Sequence, residues 1–210
     1  MIFIGDVHGK INRFLSILEQ YSTKRVVQIG DMCVGFPGVV LPELRVWHKW
    51  FAGNHDNPEV CAKHPNNLGR FGYIKSDGYF FVSGAWSIDA KFRVPGVEWW
   101  PNEELYHHEM EAAKRLYLDV KPDVVASHEG PYSIITNLRT NWPGPIRETR
   151  TSLFLDELLK LHRPKTWVFG HWHQSWQREV QGTRFVCLDE LEAFDITSYS
   201  TIHQTDQLLK

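Results

Sequence analysis

A chain of 210 residues, 42% of them hydrophobic and 23% charged, can bury a sizeable core and reads as a single domain over residues 1–210. A net charge of −2 excludes the large basic excess of nucleic-acid coats and membrane-surface proteins, so no extended nucleic-acid surface is expected. Three scattered cysteines without paired spacing argue against a disulfide framework or a structural zinc site, and no apolar run approaches the ~20 residues of a bilayer span.

Along the chain, Ile2-Phe3-Ile4 reads as a buried strand and Lys10 to Gln20 as a helix with Ile11, Phe14, Leu15 and Leu18 on one face. Val26 to Ile29 and Trp47 to Ala52 read as the second and third strands. Tyr79 to Ser83 and Ala85 to Ile88 follow as strands, then a Pro/Gly/Trp loop from Arg93 to Pro101. Asn102 is expected to cap a helix running to about Leu118, with Glu103 and Glu104 in its first turn. Val124 to Ala126 and Trp167 to Phe169 are short buried strands flanking a helix from Ser152 to Leu161. A hairpin turns at Gln181-Gly182, between Ser175–Val180 and Arg184–Leu188. The irregular stretches, including Asn141 to Pro145, are the expected walls of a substrate cleft. With no basic-plus-apolar leader ahead of Ile2, and with Cys33, Cys61 and Cys187 unpaired, a reducing, cytoplasmic setting without a membrane partner is expected.

Eleven histidines are many for this length, so their positions matter. The first strand ends in Gly5-Asp6-Val7-His8-Gly9, the second in Gly30-Asp31 and the third in Gly53-Asn54-His55-Asp56. Two later strands end in Ser127-His128 and Gly170-His171-Trp172-His173. In open α/β sheets, sites form outside the carboxyl ends of strands, so these ends would gather Asp, Asn and His side chains in one place. Glycines beside them let the chain turn sharply and approach the site. The residue types suit two divalent ions, with Asp31 as bridging carboxylate. Asp6, His8 and His173 would complete one shell, and Asn54, His128 and His171 the other. A mixed nitrogen and oxygen set without thiolate points to Mn, Fe or Zn. His55, not needed as a ligand, is the candidate general acid for the leaving group.

The ordered series GDVHG, GD, GNHD, SH and GHWH, spanning Gly5 to His173, resembles the calcineurin-like metallophosphoesterase superfamily. The resemblance implies an α/β fold, a four-layer α/β/β/α sandwich with two mixed central β-sheets. It also implies the ligand set above, and hydrolysis of phosphate esters by in-line attack of a hydroxide held by the metals, with His55 as acid. The chain departs from the protein-phosphatase branch, which reads GDxVDRG. Val34 and Gly35 stand where that motif has Asp and Arg, so an acidic partner for the acid histidine and a phosphate-clamping arginine must come from elsewhere. The chain looks more like small bacterial or phage members, which act on small phosphoesters, nucleotides or polynucleotides.

Arginine suits phosphate because its fork matches the phosphate oxygens. Candidates are Arg93, Arg139, Arg147 and Arg150, with Arg93 favoured. Asp56 reads as a local hydrogen-bond partner and Cys33 as a packing residue. Trp99, Trp100 and Trp142 pack loops or stack a base, packing being favoured, and Trp172 reads as core. His48, His64, His107, His108, His162 and His203 read as structural or surface residues. Two alternatives stay open: a nucleotide- or oligonucleotide-directed phosphodiesterase of the same fold, and a non-catalytic metal-binding interaction module. Oligomeric state is open.

Overall fold

The computed structural model describes residues 1–138 and 146–197. Arg139 and Trp142 therefore lie outside the described residues, as do Asn141 to Pro145 and His203.

Two mixed sheets lie at the centre. The first contains β1 (Ile2–Ile4), β2 (Val26–Gln28), β3 (His48–Trp50) and β10 (Ala193–Asp195) in the order β10-β1-β2-β3. Its first three strands are parallel; β10 pairs antiparallel with β1, Phe3 opposite Phe194. The second contains β4 (Phe71–Ile74), β5 (Tyr79–Val82), β6 (Val124–Ser127), β7 (Thr166–Phe169), β8 (Trp176–Val180) and β9 (Thr183–Cys187). Its order is β4-β5-β6-β7-β9-β8, parallel in the middle and antiparallel at both edges.

Side-chain alternation builds the layers. Phe3, Val27, Ile29 and Phe51 from the first sheet meet Tyr79, Phe81, Ala126, Val168 and Val186 from the second, forming the inter-sheet core. The opposite parity of the first sheet, Ile2, Ile4, Val26 and Trp50, packs on Phe14 and Leu18 of α1 (Ile11–Gln20) and on Cys61 of α2 (Pro58–Cys61). The outer face of the second, Phe80, Val82, Val125, Trp167, Phe169 and Phe185, packs on α3 (His107–Val120), α4 (Tyr132–Ile135) and α5 (Arg150–Leu161). These three apolar interfaces separate four layers in the order α/β/β/α, as the resemblance implies. All three cysteines are buried and free.

Two sequence expectations are corrected. Ala85 to Ile88 is not a strand. Gly84 turns the chain at φ +79°, and the Ser87 amide donates to the Glu103 carboxylate at 2.7 Å instead of to a neighbouring strand. The helix after the loop begins at His107, not at Asn102. Tyr106 is its N-cap residue, and its amide donates to Glu109 at 2.8 Å. Glu103 and Glu104 turn inward. Glu104 accepts from the Thr151 amide at 2.9 Å and its hydroxyl at 3.0 Å, serving the first turn of α5 rather than of α3.

Candidate metal centre

The loops after β1, β2, β3, β6 and β7 converge at the carboxyl ends of both sheets and carry every residue picked from the sequence as a metal ligand. Several adopt left-handed backbone angles that non-glycine residues seldom take: His8 (φ 47°), Asp31 (58°), His171 (67°) and His173 (49°). Such strain concentrates at functional sites, where the surrounding packing holds it.

Two clusters share this point. In the first, His173 Nε2 lies 3.1 Å from Asp6 Oδ2 and 2.8 Å from His8 Nε2. In the second, His128 Nε2 lies 3.3 Å from Asp31 Oδ1 and 3.0 Å from Asn54 Oδ1, with His171 completing the group. Asp31 sits between them, because its Oδ2 is 3.6 Å from His8 Nε2. Within the Asp6/His8/His173 group, and within the Asp31/His128/His171 group, the donor atoms all lie within 4.8 Å of one another. Cys33 forms a third such group with His8 and His55, but burial pushes its thiol pKa up and disfavours the thiolate.

The residues fit divalent cations. Asp6 and Asp31 are fully enclosed, and two neighbouring buried carboxylates need positive partners. The backbone makes room for them. A Cβ on Gly170 would fall 2.4 Å from Asp6 Oδ1, and one on Gly53 would fall 2.1 Å from Asp31 Oδ1. Gly170→Ala is expected to destabilise the protein by about 1–3 kcal/mol through overpacking, and to weaken metal uptake because Asp6 must move. Calorimetric unfolding and metal titration check both effects.

The electrostatics agree. Burial opposes charge on Asp31, but His128 and His55 hold its carboxyl well below the usual range. Asp6 is likewise held low, burial being outweighed by His128, His173 and His8. Burial works against protonated His128, yet Asp31 and Asp6 push it up to about 10. His8 rises to about 11 against the same burial penalty, through Asp6, Cys33 and Asp31. His171, largely desolvated at the cavity floor and beside His128, drops to about 3, which favours the neutral imidazole, the form that ligates. The pocket attracts positive charge at its carboxylates.

A cavity of about 500 Å³ opens over the clusters, lined also by His55, Ile88, Asp89, Arg93, Trp172 and Gln174. His55 lies 3.9 Å from Asp31 Oδ2, its amide donates to Asp31 Oδ1 at 2.8 Å, and its ring stacks on Phe36. Burial, with Arg93 and His8, moves its pKa down although Asp31 pulls the other way. Arg93, the favoured arginine, reaches the cavity with Nη1 and Nη2 each 2.8 Å from a ring nitrogen of His55. Arg147 is exposed and does not line the cavity, and Arg150 is paired with Glu104 at 3.6 Å. Asp56 accepts from the amides of Met32, Val34 and Gly53, tying the second and third loops together. Trp100 is buried and Trp99 half-buried; neither lines the cavity, so both pack. Trp172, read as core, is half-buried and packs at the margin of the second sheet's outer core. It lines the cavity and donates to Glu129 at 2.6 Å, because the positive φ of His171 and His173 breaks the two-residue alternation.

Some contributors were not visible in the sequence. The Asn54 side-chain amide donates to Ser87 Oγ at 3.0 Å, and Ser87 Oγ donates to Glu103 at 2.6 Å. This chain turns Asn54 Oδ1 toward His128. Asp89 grips Arg93 in a bidentate pair, at 2.7 Å to Nε and 2.6 Å to Nη2. Glu129 is buried behind His171, and burial raises its pKa to about 7. The only local cue was polarity in an irregular segment.

Comparison with known proteins gives one decisive match. A family model described as calcineurin-like phosphoesterase covers residues 1–175. No curated protein matches in sequence. Among solved structures, the TT1561 protein of Thermus thermophilus is 14% identical, over 90% of this chain and 89% of that one, with a TM-score of 0.47. GAP50, described as the anchor in the inner membrane complex of Plasmodium, is 13% identical over 90% of this chain and 71% of that one, also at 0.47. On the family match, and with two His/Asp clusters at its strand ends, the chain belongs to the calcineurin-like phosphoesterase family.

Proposed function

We propose that this protein is a hydrolase of phosphate esters working with two divalent metal ions, Mn, Fe or Zn. The observation that carries the reading is the position of Asp31, whose two oxygens face the two ligand clusters. Asp6, His8 and His173 would hold one ion, and Asn54, His128 and His171 the other, with Asp31 shared. Bound there, the ions supply Lewis acidity and acidify water near neutral pH.

The chain's own residues do the rest. Arg93 presents guanidinium hydrogens to the cavity beside His55 and orients a phosphate oxygen. When Arg93 turns its hydrogens from the His55 ring to the phosphate, Nε2, which also faces Asp31, can carry a proton and give it to the departing alkoxide. The negative phosphate counters the burial and cationic neighbours that lower its pKa. No helix among the described residues is long and apolar enough to cross a membrane, and a phosphoester small enough for the cavity is the proposed partner. The cytoplasm is the proposed setting.

The test is metal content together with a panel of nitrophenyl mono- and diesters, nucleotides and short oligonucleotides under Mn, Fe and Zn. Two ions per chain with turnover of at least one ester supports the reading. Properly metallated protein that turns over none of them refutes it, and fewer than two bound ions favours an interaction module. Within this reading, Ser87→Ala should weaken metal binding about 10–100-fold, the usual cost of losing a ligand's outer hydrogen-bond partner. Calorimetric metal titration with an unchanged circular dichroism spectrum checks it.

A further inference from the structure

We propose that the Asp89–Arg93 pair makes this cavity select phosphodiester monoanions over phosphomonoester dianions; the inference rests on the phosphoesterase reading above. Among the described residues lining the cavity, Arg93 is the sole lysine or arginine. Its charge is already matched. Asp89 binds it through both oxygens, and the two residues sit at i and i+4 around the short turn Ala90–Phe92, so the pair forms locally before any ligand arrives. The other Arg93 hydrogens face the His55 ring nitrogens and the Glu98 carbonyl, so a phosphate oxygen takes the place of one of these contacts, and the pair adds no net positive charge.

The Asp89 carboxylate itself lines the cavity, with its side chain 37% exposed. A monoester carries close to two negative charges above about pH 7, since its second pKa is about 6. A diester carries one. The ions attract the dianion more strongly than the monoanion, so selection against it comes from the wall, where the extra charge of a monoester meets the Asp89 carboxylate and an arginine already neutralised. In a partly desolvated pocket that difference is large. Shape points the same way. The lining also includes Ile88, Trp172 and Gln174, apolar and amide groups that a terminal phosphoryl group does not need and a second ester arm can use.

The experiment compares native protein with Asp89→Asn and Asp89→Ser, each metal-loaded, at about pH 8 where monoesters are dianions. Rates are measured on nitrophenyl phosphate and bis-nitrophenyl phosphate, and calorimetry gives Kd for inorganic phosphate and dimethyl phosphate. Native protein should favour the diester in kcat/KM by about tenfold or more, and both variants should raise the monoester-to-diester ratio by about tenfold. Inorganic phosphate should tighten against dimethyl phosphate by a similar factor. A native preference for the monoester overturns the inference. So do ratios that stay within about twofold of native in whichever variants keep the native melting temperature. If no ester turns over while the anion-binding ratio still shifts, the hydrolase reading fails and the charge selection stands.

Discussion

Replacing Asp31 with Ala is expected to lower kcat/KM by about a thousandfold or more, and to leave at most one ion bound per chain. Metal ions at such centres contribute several kcal/mol of transition-state stabilisation, and about 4 kcal/mol corresponds to a factor near a thousand. In the proposed centre Asp31 is shared, its two oxygens facing the two clusters, so its loss would remove an oxygen from both at once. It also leaves the amide of His55 without its acceptor. Elemental analysis of the purified variant, run beside the rate assay, separates the two effects. Two retained ions in Asp31→Ala would show that the carboxylate does not join the clusters.

His55→Ala is expected to act differently. The loss should depend on the leaving group: about a hundredfold to ten-thousandfold on alkyl phosphoesters, and no more than about tenfold on nitrophenyl esters, whose leaving group departs without a proton. Metal stoichiometry should stay at the native value, because His55 is not one of the proposed ligands. A plot of log kcat/KM against leaving-group pKa reads this out. The variant's line should be steeper than the native one, and parallel lines would assign His55 to binding rather than proton transfer.

The clusters were legible in the sequence because each ligand follows a short buried strand and usually stands beside a glycine that the fold needs. Asp6 and Asp31 fill the space that side chains at Gly170 and Gly53 would occupy, so the pattern records close packing as well as chemistry. The layers were legible too, since odd and even residues of β1, β2 and β6 go to different apolar interfaces. The segment between β5 and α3 was not legible. Asn102 followed by two glutamates satisfies the local rule for a helix start, but Glu104 meets Thr151 across the fold and Glu103 meets Ser87. Local rules cannot see partners so far away in sequence. β4 escaped notice for another reason: it is half-exposed along its length, and Gly72 lies against the Phe81 ring where a side chain would collide. Asp89 and Arg93 are plain polar residues until the turn between them brings their charges together.

The pairing of β10 with β1 has a consequence for how the protein is made. Ile2-Phe3-Ile4 waits for Ala193-Phe194-Asp195 to cover one of its edges, while all the other strands of both sheets are synthesised in between. At about 5–20 residues per second that interval lasts on the order of ten seconds or more. During it a short, wholly apolar edge stays open to other chains. Folding of the first sheet is therefore completed only once β10 has been made, and nascent chains that stall before it are the population most prone to clump or to recruit chaperones.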